Sequence, residues 1–440
     1  MQSNTLFLAA KGADDFTVDQ MPIRNQIMGV IRQQYNLMGA DQIETPIFEQ
    51  TSFLQRKYGD DQKLIFDLKT SNSSAEQCSL RYDLTVPLTR FCLNKGIVKG
   101  RFYQFGYSFR MDTPNLTQGR RRQFMQADLD IVGEPSNKIL DAQLLAAGNN
   151  ILLKLMIDQY RIYVNNRDIM IQSLRNIGVS ADLILTTCSS IDKLDKITTE
   201  QCKCELTGKF NGNSELAEKV IGSINNPSKP LKVWFVELQK YCLTLGISPD
   251  KLVLNPGLAR GMDYYNDLIF EFVLTDSDVK FGTIIAGGRY DGLASMLGST
   301  TVMPMLGLSV GVERVFRYLS VKKIAVTNSK NALIKLFLAR INKDITSDKV
   351  ADQLEQYQLK VNSLIIQNVV NSNTKLITSN IARSISKQLK FALKNDYNYL
   401  FVVGKQEMDS NKLTVKNLKT RETQLIELAE LPAFVSDMSM

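Results

Sequence analysis

Three polar residues alternate with apolar ones in the segment 123–132 of the chain. Gln126, Asp128 and Asp130 stand at i, i+2 and i+4, so in a β-strand all three side chains project from one face and the apolar residues between them project from the other. The spacing therefore predicts a strand with one apolar face and one acidic face. Taken alone, an acidic face of this kind is most often a solvated sheet surface.

Five arginines lie in or beside the loop that precedes this strand. Two extended segments, 101–110 and 120–132, are predicted to pair through a loop too long for a tight hairpin turn, and long loops between paired strands are often functional. The arginines are Arg101, Arg110, Arg120, Arg121 and Arg122. Their density suits bidentate recognition of phosphate. An exposed basic hairpin would explain the loop arginines but not Arg110, which ends an aromatic-rich strand.

Two later segments place an arginine close to glycine. In 258–265, Arg260 lies beside a glycine and four residues before a pair of tyrosines, and such a turn could aim the guanidinium into a pocket. In 307–314, a glycine pair opens a helix that carries Arg314, again suited to an anion. The glycine-rich segment 286–292 lacks both the Walker pattern and the dinucleotide spacing, so it is weak evidence for a nucleotide.

The chain contains no histidine. This absence excludes Ser-His-Asp triads, histidine general bases and every zinc site that needs an imidazole ligand. Six cysteines are scattered through the first part of the chain, which favours a reducing compartment over a secreted disulfide framework. Cys202 and Cys204 have no second pair at ligand spacing, so we expect incidental thiols rather than a metal site.

Length and composition are typical of a folded protein with several domains. The chain has 440 residues, of which 44% are hydrophobic and 22% charged, and these values argue against disorder and against a membrane bundle. A net charge of +8 favours an anionic partner, for which nucleic acid is a candidate. No apolar run approaches the roughly 20 residues of a membrane span, so we expect a cytoplasmic protein without a membrane partner.

The elements that must position the candidate residues begin with a helix predicted over 19–37 and closed by Gly39. Extended segments then recur, each bounded by polar turn residues, at 44–49, 64–68, 79–83, 101–110 and 123–132. The next clear helix is predicted over 137–155. Successive strands with few crossovers predict an antiparallel sheet flanked by helices, an α+β fold.

The middle of the chain changes character. Between about 168 and 250, short helical patterns are separated by polar breaks rich in glycine and asparagine, which predicts an inserted helical module. Strand-like sequence resumes at 268–274 and 282–286, a helix is predicted near 310–319, and the polar stretch 321–331 is expected to be a linker.

The C-terminal part alternates between strand and helix patterns, which predicts a small α/β domain with a largely parallel or mixed sheet. The predicted strands are 333–341, 361–367, 399–403 and 413–417, and the predicted helices are 348–357, 379–395 and 423–431.

A basic stripe runs along the second of these helices. Its members, Arg383, Lys387, Lys390 and Lys394, recur at helical spacing. A stripe of this kind is usually solvated surface. Residues 360–421, however, hold eleven Lys/Arg and three acidic residues, so this segment alone carries a net charge of +8 and the rest of the chain sums to zero. Such a concentration is the footprint expected for a nucleic-acid backbone.

Together these segments resemble the class II aminoacyl-tRNA synthetases, and within them the histidyl-tRNA synthetase family of the eukaryotic cytosolic type. Residues 258–265 are the most diagnostic, because they resemble a segment peculiar to histidine-specific members, and 286–292 resemble a second such segment. The other matching segments are Lys11-Gly12, 45–49, 80–87, 109–133 and 311–314.

The resemblance implies an organisation for the whole chain. A class II synthetase antiparallel sheet flanked by helices would form the catalytic domain, in two parts over 1–167 and 251–325. The inserted helical module would occupy 168–250, and an α/β anticodon-binding domain would occupy 332–440. A homodimer is implied as well.

The resemblance also implies a reaction, the ATP-dependent ligation of L-histidine to tRNA(His) through a histidyl-adenylate, with Mg2+ bridging the phosphates. Arg110 would hold the α-phosphate of ATP, Asp112 would approach the adenine amine, Phe124 would stack on the base and Arg314 would bind the γ-phosphate. Arg110 and Arg260 would neutralise the repulsion between the attacking carboxylate and the phosphate, so these two are the predicted catalytic residues.

Under the same resemblance, the acidic strand face becomes a histidine pocket. Asp83, Thr85 and Gln126 would receive the α-amino group, while Asp130 and Tyr265 would hydrogen-bond the two imidazole nitrogens. The remaining contacts would come from Tyr264 and Tyr290, which would wall the pocket, and from Arg260, which would grip the carboxylate. The tRNA would contact Arg120, Arg121 and Arg122 in the loop and Arg383, Lys387, Lys390 and Lys394 in the C-terminal stripe.

Two alternatives remain open at this point. A non-catalytic relative with a regulatory or histidine-sensing role would be expected to have lost the catalytic arginines or the C-terminal domain, and this chain has both. A synthetase for another amino acid, such as threonine or glycine, is disfavoured by the segment from Arg260 to Tyr265.

Overall fold

A computed structural model describes residues 8–55, 63–69, 76–114, 119–259, 264–276, 281–324, 334–341, 345, 347–368, 374–378 and 384–437. The chain divides into two compact units, Met1–Val326 and Thr327–Met440. None of the helices in these ranges combines the length and hydropathy that a membrane crossing requires.

The first unit is built on ten strands and eleven α-helices within the described residues. The strands are β1 (Asp41–Gln42), β2 (Phe48–Gln50), β3 (Cys78–Leu80), β4 (Gly100–Phe109), β5 (Gln123–Val132), β6 (Tyr160–Asn166), β7 (Leu252–Leu254), β8 (Asn266–Leu274), β9 (Thr283–Arg289) and β10 (Met305–Gly311). The helices are α1 (Met21–Leu37), α2 (Thr51–Gln55), α3 (Thr85–Lys95), α4 (Lys138–Lys154), α5 (Arg167–Asn176), α6 (Ile184–Ile191), α7 (Thr199–Lys209), α8 (Ser214–Asn225), α9 (Lys229–Thr244), α10 (Leu293–Met296) and α11 (Val312–Val321).

Eight of these strands form one sheet in the order β1-β4-β5-β10-β9-β8-β6-β7. Every neighbouring pair from β4 to β6 is antiparallel, whereas the pairs at the two ends, β1 with β4 and β6 with β7, are parallel. The predicted antiparallel sheet flanked by helices is therefore confirmed, with a parallel pair at each end. β2 and β3 form a separate antiparallel pair.

The central strand β5 is buried on both faces. Its apolar residues Ala127, Leu129 and Ile131 have no exposed surface and belong to the main hydrophobic core. Burial of a leucine or isoleucine side chain contributes about 1.5–3 kcal/mol. The face that carries Gln126 and Asp130 is also buried, so the solvated-surface interpretation of the acidic face is wrong.

Two helices cover the apolar face of the sheet. α1 ends where Gly39 adopts a left-handed φ of +71°, as predicted, and packs against α4. α4 begins at Asn137, whose side chain accepts a hydrogen bond from the backbone N–H of Ile139 at 2.9 Å. The resulting rigid layer holds β5 in place.

The middle of the chain is helical, as predicted. Helices α5 to α8 share a hydrophobic cluster of their own. α9, which also falls in the predicted module, places Trp234, Leu238 and Cys242 in the core of the large sheet instead.

The second unit contains a five-stranded sheet. Its strands are β11 (Ile334–Arg340), β12 (Thr374–Thr378), β13 (Tyr399–Val403), β14 (Lys412–Asn417) and β15 (Thr423–Glu427), and its helices are α12 (Asp348–Asn368), α13 (Ile385–Lys394), α14 (Lys405–Ser410) and α15 (Leu431–Asp437). The order is β12-β11-β13-β14-β15, with parallel pairs around β11 and antiparallel pairs beyond β13. The sheet is thus mixed.

Two predicted elements of this unit are wrong. The segment 361–367, predicted as a strand, continues α12, because Leu354, Tyr357, Val361 and Ile365 recur at helical spacing and are buried together. The segment 423–431, predicted as a helix, begins with β15. Its short apolar pattern fits either structure, and pairing with β14 decides the outcome.

Candidate active site

A cavity of about 450 Å³ opens on the acidic face of the large sheet. The predicted residues that line it are Asp83, Thr85, Arg110, Asp112, Arg120, Arg121, Phe124, Gln126, Tyr264, Tyr265 and Arg314. They come from segments between 83 and 314 in the chain, so the fold brings together most of the predicted site. The volume falls in the range of small-molecule sites.

β5 provides the floor of the site. Phe124, Gln126, Asp128 and Asp130 alternate along one face, and the six residue steps from the first to the last span about 20 Å. Gln126 lines the cavity and is 9% exposed, while Asp128 and Asp130 lie deeper at 2% and 3%. The strand therefore connects an aromatic end of the site to an acidic end.

At the acidic end, Asp130 accepts a hydrogen bond from the hydroxyl of Tyr290. The ring of Tyr290 packs edge-on against Tyr264 and Tyr265, with centroid distances of 5.6 and 6.1 Å. Burial raises the pKa of Asp130 to about 7, although the bond from Tyr290 opposes the shift, and the charge of Asp83 raises it further. Three tyrosines and a carboxylate thus lie together at this end of the site, and the carboxylate can accept a hydrogen bond from a ligand.

Asp128 adds a second buried carboxylate. Burial and then the charge of Asp130 raise the pKa of Asp128, while a hydrogen bond from Ser309 lowers it. Asp83, beside the same site, accepts from the backbone N–H of Val86 at 3.0 Å at the start of α3. The acidic end therefore favours a cation or a hydrogen-bond donor.

At the other end, Arg110 lies between two aromatic rings. Its guanidinium carbon is 4.2 Å from the ring centroid of Tyr82 and 5.1 Å from that of Phe124, and its Nε donates to the carbonyl of Tyr82 at 3.1 Å. These contacts hold the cation in place. The remaining guanidinium edge suits a phosphate beside a base stacked on Phe124.

The N-terminus of α11 meets the same end of the cavity. Gly311 and Arg314 line the wall there, and Arg314 donates to the carbonyl of Thr283. Glu313 also lines the cavity, but its carboxylate is occupied, because it accepts from Arg24 at 2.7 Å and from the backbone N–H of Met125 at 2.6 Å. Backbone N–H groups at a helix N-terminus favour an anion.

The loop arginines differ in their surroundings. Arg120 is exposed at the rim, Arg121 is buried and paired with Asp14, and Arg122 donates to the carbonyl of Asp112 at 3.3 Å. Lys387, Lys390 and Lys394 are exposed on α13, whose other side buries Gln388 and Ala392. Arg260 and Arg383 lie outside the described residues.

Sequence reasoning missed several residues of this site, among them Tyr82, Glu271 and Ser309. Ser309 lines the cavity and accepts a hydrogen bond from Gln126 at 2.8 Å. Gly307 lies opposite Asp130 on β10, and a Cβ at this position would collide with the Asp130 carboxylate and lie 3.0 Å from the hydroxyl of Tyr290. The alternation of small and apolar residues in 305–311 is the signal that could have indicated this strand.

The comparisons with known proteins agree with this geometry. Residues 12–315 match the family described as histidyl-tRNA synthetase, and residues 344–438 match the anticodon binding domain family. The cytoplasmic histidine–tRNA ligase of Dictyostelium discoideum is 32% identical, over 97% of this chain and 90% of that protein. The histidine–tRNA ligase of Danio rerio is 30% identical, over 96% of this chain and 87% of that protein.

Among solved structures, the crystal structure of a histidyl-tRNA synthetase from Nostoc sp. PCC 7120 is similar with a TM-score of 0.72 at 24% identity. The superposition covers 98% of this chain and 99% of that chain, so the two share their fold. The family match over most of the chain, and relatives at 30% identity or more along nearly its whole length, show that the chain belongs to the histidyl-tRNA synthetase family.

Proposed function

We propose that this chain activates histidine with ATP in the cavity above β5 and then transfers it to tRNA(His). The observation that carries the proposal is the polarity of the floor. An arginine and an aromatic ring at one end suit a nucleotide, and buried carboxylates at the other suit the ammonium and imidazole groups of histidine. The distance of about 20 Å along the strand accommodates both substrates.

In the first step, an oxygen of the histidine carboxylate attacks the α-phosphorus of ATP, a new P–O bond forms, and the bond to pyrophosphate breaks. Both reacting groups are anions, so the step needs fixed cations rather than a proton transfer. We propose Arg110 and Arg260 for this role, and the position of Arg110 on the cavity wall supports its assignment. In the second step, a hydroxyl of the terminal tRNA ribose attacks the carbonyl carbon and AMP leaves.

In this proposal, the side chains divide between the two substrates. Phe124 and Asp112 bind adenine, and Arg314 binds the γ-phosphate. Histidine is bound by Asp83, Thr85, Gln126, Asp130, Tyr264, Tyr265 and Tyr290. The positions of the others around one cavity, and the contact of Tyr290 with Asp130 behind it, support these assignments.

Magnesium would enter with ATP as part of the substrate. Glu271 lines the cavity and offers the oxygen donors that Mg2+ prefers, and no group of three acidic or cysteine side chains suited to a metal occurs within the described ranges. This donor set fits an ion held largely by phosphate oxygens. The ion would neutralise phosphate charge during the displacement.

We propose that the tRNA contacts Arg120, Arg121 and Arg122 near the cavity and the basic stripe of α13 in the second unit, including Arg383. We also propose a homodimer, for which the exposed apolar side chains of Leu37, Ile47 and Phe48 provide a surface. A cytoplasmic location follows the names of the curated relatives. The non-catalytic alternative is not favoured, because those relatives are named as ligases.

The test is histidine-dependent exchange between ATP and pyrophosphate on the purified chain. We expect exchange with histidine and none with threonine or glycine. Arg110→Ala and Arg260→Ala should each abolish exchange while the protein stays folded, because each removes one of the two opposing cations. Exchange at a near-normal rate in both variants would contradict the proposed mechanism.

A further inference from the structure

The proposed reaction leaves Asp128 without a role. This residue lies between Gln126 and Asp130 on the same face of β5, and its carboxylate oxygen Oδ1 is buried with no hydrogen-bond partner in the part of the chain that the structure describes. A buried carboxylate with few partners costs stability rather than supplying it. Its place beside the cavity therefore points to a role in ligand recognition.

The side chains on one side of Asp128 direct their hydrogen bonds elsewhere. Gln104, directly opposite on β4, uses its amide elsewhere, since Nε2 donates to the carbonyl of Leu84 at 3.1 Å and Oε1 accepts from the hydroxyl of Thr45 at 3.0 Å. Nearby, Arg81 donates to the carbonyls of Tyr107 and Thr45. These side chains are already committed to the structure.

On the other side, Ser309 lies directly opposite Asp128 on β10, where cross-strand side chains meet, and its hydroxyl opposes the raised pKa of the Asp128 carboxyl. The same hydroxyl accepts from Nε2 of Gln126 at 2.8 Å. When a cationic ligand keeps Asp128 ionised, its carboxylate can only accept, so the single hydroxyl hydrogen of Ser309 goes to Asp128 and the hydroxyl oxygen is left to accept from Gln126. The direction of both hydrogen bonds is thereby set by Asp128.

These hydrogen bonds fix the orientation of the Gln126 side-chain amide. Its NH2 group is held toward Ser309, and its Oε1 is buried with no partner among the described residues. The opposite orientation of the amide would leave its NH2 group facing the ligand. An amide oxygen accepts a hydrogen bond from an ammonium group. An amide NH2 group cannot, because both groups are donors.

We propose that Asp128 and Ser309 are positioning residues that orient the Gln126 amide to accept a hydrogen bond from the α-ammonium group of histidine. The inference rests on the proposed function, because it takes histidine as the ligand at Gln126. With the ammonium group bound nearby, the ionised form of Asp128 is favoured. Asp128 and Ser309 thus make the pocket selective for a ligand with an ammonium group.

Three ligands separate this role from a structural one. Histidine carries an ammonium group, an imidazole and a carboxylate. Histidinol keeps the ammonium and the imidazole without the carboxylate, and 3-(imidazol-4-yl)propionate keeps the imidazole without the ammonium. The measurements are KM for histidine and ATP and inhibition constants for the two analogues, all in ATP–pyrophosphate exchange. The variants are Asp128→Asn, Ser309→Ala and Ser309→Thr.

Ser108→Ala is a matched control. Ser108 is a buried serine of the same sheet, its hydroxyl has no hydrogen-bond partner in the described chain, and it does not line the cavity. It should behave like the wild type.

We expect Asp128→Asn and Ser309→Ala to raise KM for histidine and the inhibition constant of histidinol about tenfold, while the values for imidazolepropionate and ATP change less than about twofold. Ser309→Thr retains the hydroxyl and should restore histidine binding. Equal losses for all four compounds, or unchanged histidine affinity in both variants, would overturn the positioning role. Absence of exchange in the wild type would instead contradict the proposed function.

Discussion

Tyr290 donates its hydroxyl hydrogen to the carboxylate of Asp130, although the two residues are 160 positions apart in the chain. Both side chains are almost fully buried, and the tyrosine ring also packs against Tyr264 and Tyr265. One carboxylate oxygen is thus held by the protein, and the carboxylate keeps capacity to accept from a ligand N–H. This pair forms the acidic end of the proposed histidine site.

The first prediction concerns this carboxylate. Asp130→Asn should weaken histidine binding by about tenfold or more and change ATP affinity by less than about twofold. The reason is that an amide can present its NH2 group to the imidazole N–H, donor to donor. KM values in ATP–pyrophosphate exchange measure both effects. Equal losses for the two substrates would indicate a general collapse of the sheet.

A second prediction follows from the pKa of Asp130, which burial raises to about 7. Below that pH the carboxyl is protonated in the free protein and accepts poorly, so histidine affinity should rise between pH 6.5 and 8, that is, about half a unit below and one unit above this pKa. ATP affinity should stay flat over the same range. In Asp130→Asn the part of this dependence that comes from the carboxyl should disappear, and an unchanged profile would assign the titration to another group, such as Asp128 or the imidazole of histidine itself.

The same shift has a consequence for stability. The pKa of Asp130 is raised from 3.8 to about 7 on folding, so the native state binds more protons between these values and the free energy of unfolding falls as pH rises through them. The Asp130→Asn variant lacks this loss. The difference in free energy of unfolding between the variant and the wild type should therefore favour the variant more at pH 8 than at pH 4. Chemical denaturation at the two pH values measures this difference.

A third prediction concerns the backbone opposite this site. Gly307→Ala should displace Asp130 and Tyr290, because the added methyl group has no room between them. We expect histidine-dependent exchange to fall by about tenfold or more while ATP still binds. Gly222→Ala, in α8 with open space around it, is the control and should retain full exchange. Normal activity of Gly307→Ala would show that the pocket floor is less rigid than its packing indicates.

The fourth prediction tests the basic stripe. Reversal of Lys387, Lys390 and Lys394 to Glu should weaken tRNA binding and flatten its dependence on salt, while exchange without tRNA stays intact. Filter binding at several salt concentrations measures the slope.

The control for this stripe is an equal change of charge on the first unit. Lys229, Lys232 and Lys240 are exposed on α9, and their reversal should leave the salt slope closer to the wild type. If both triple variants lose affinity equally, net charge rather than the α13 surface accounts for binding.

Local patterns in the sequence were sufficient to predict those helices and strands whose periodicity is visible in neighbouring residues. The alternation around Gln126 predicted β5, the helical spacing after residue 19 together with Gly39 predicted α1, and the recurrence of lysines predicted the exposed side of α13. These periods depend on how successive side chains project from one backbone, so they can be seen without tertiary contacts.

Tertiary structure decided what depends on pairing between distant segments. The burial of the acidic face of β5 is one example. It depends on the register of β10, which brings Ser309 and Gly307 opposite that face, and on the approach of Tyr290. No local periodicity in the sequence contains this information. The same holds for β15, whose short apolar pattern suits a helix or a strand until β14 supplies its hydrogen bonds. Buried polar groups require partners, and those partners are chosen in three dimensions.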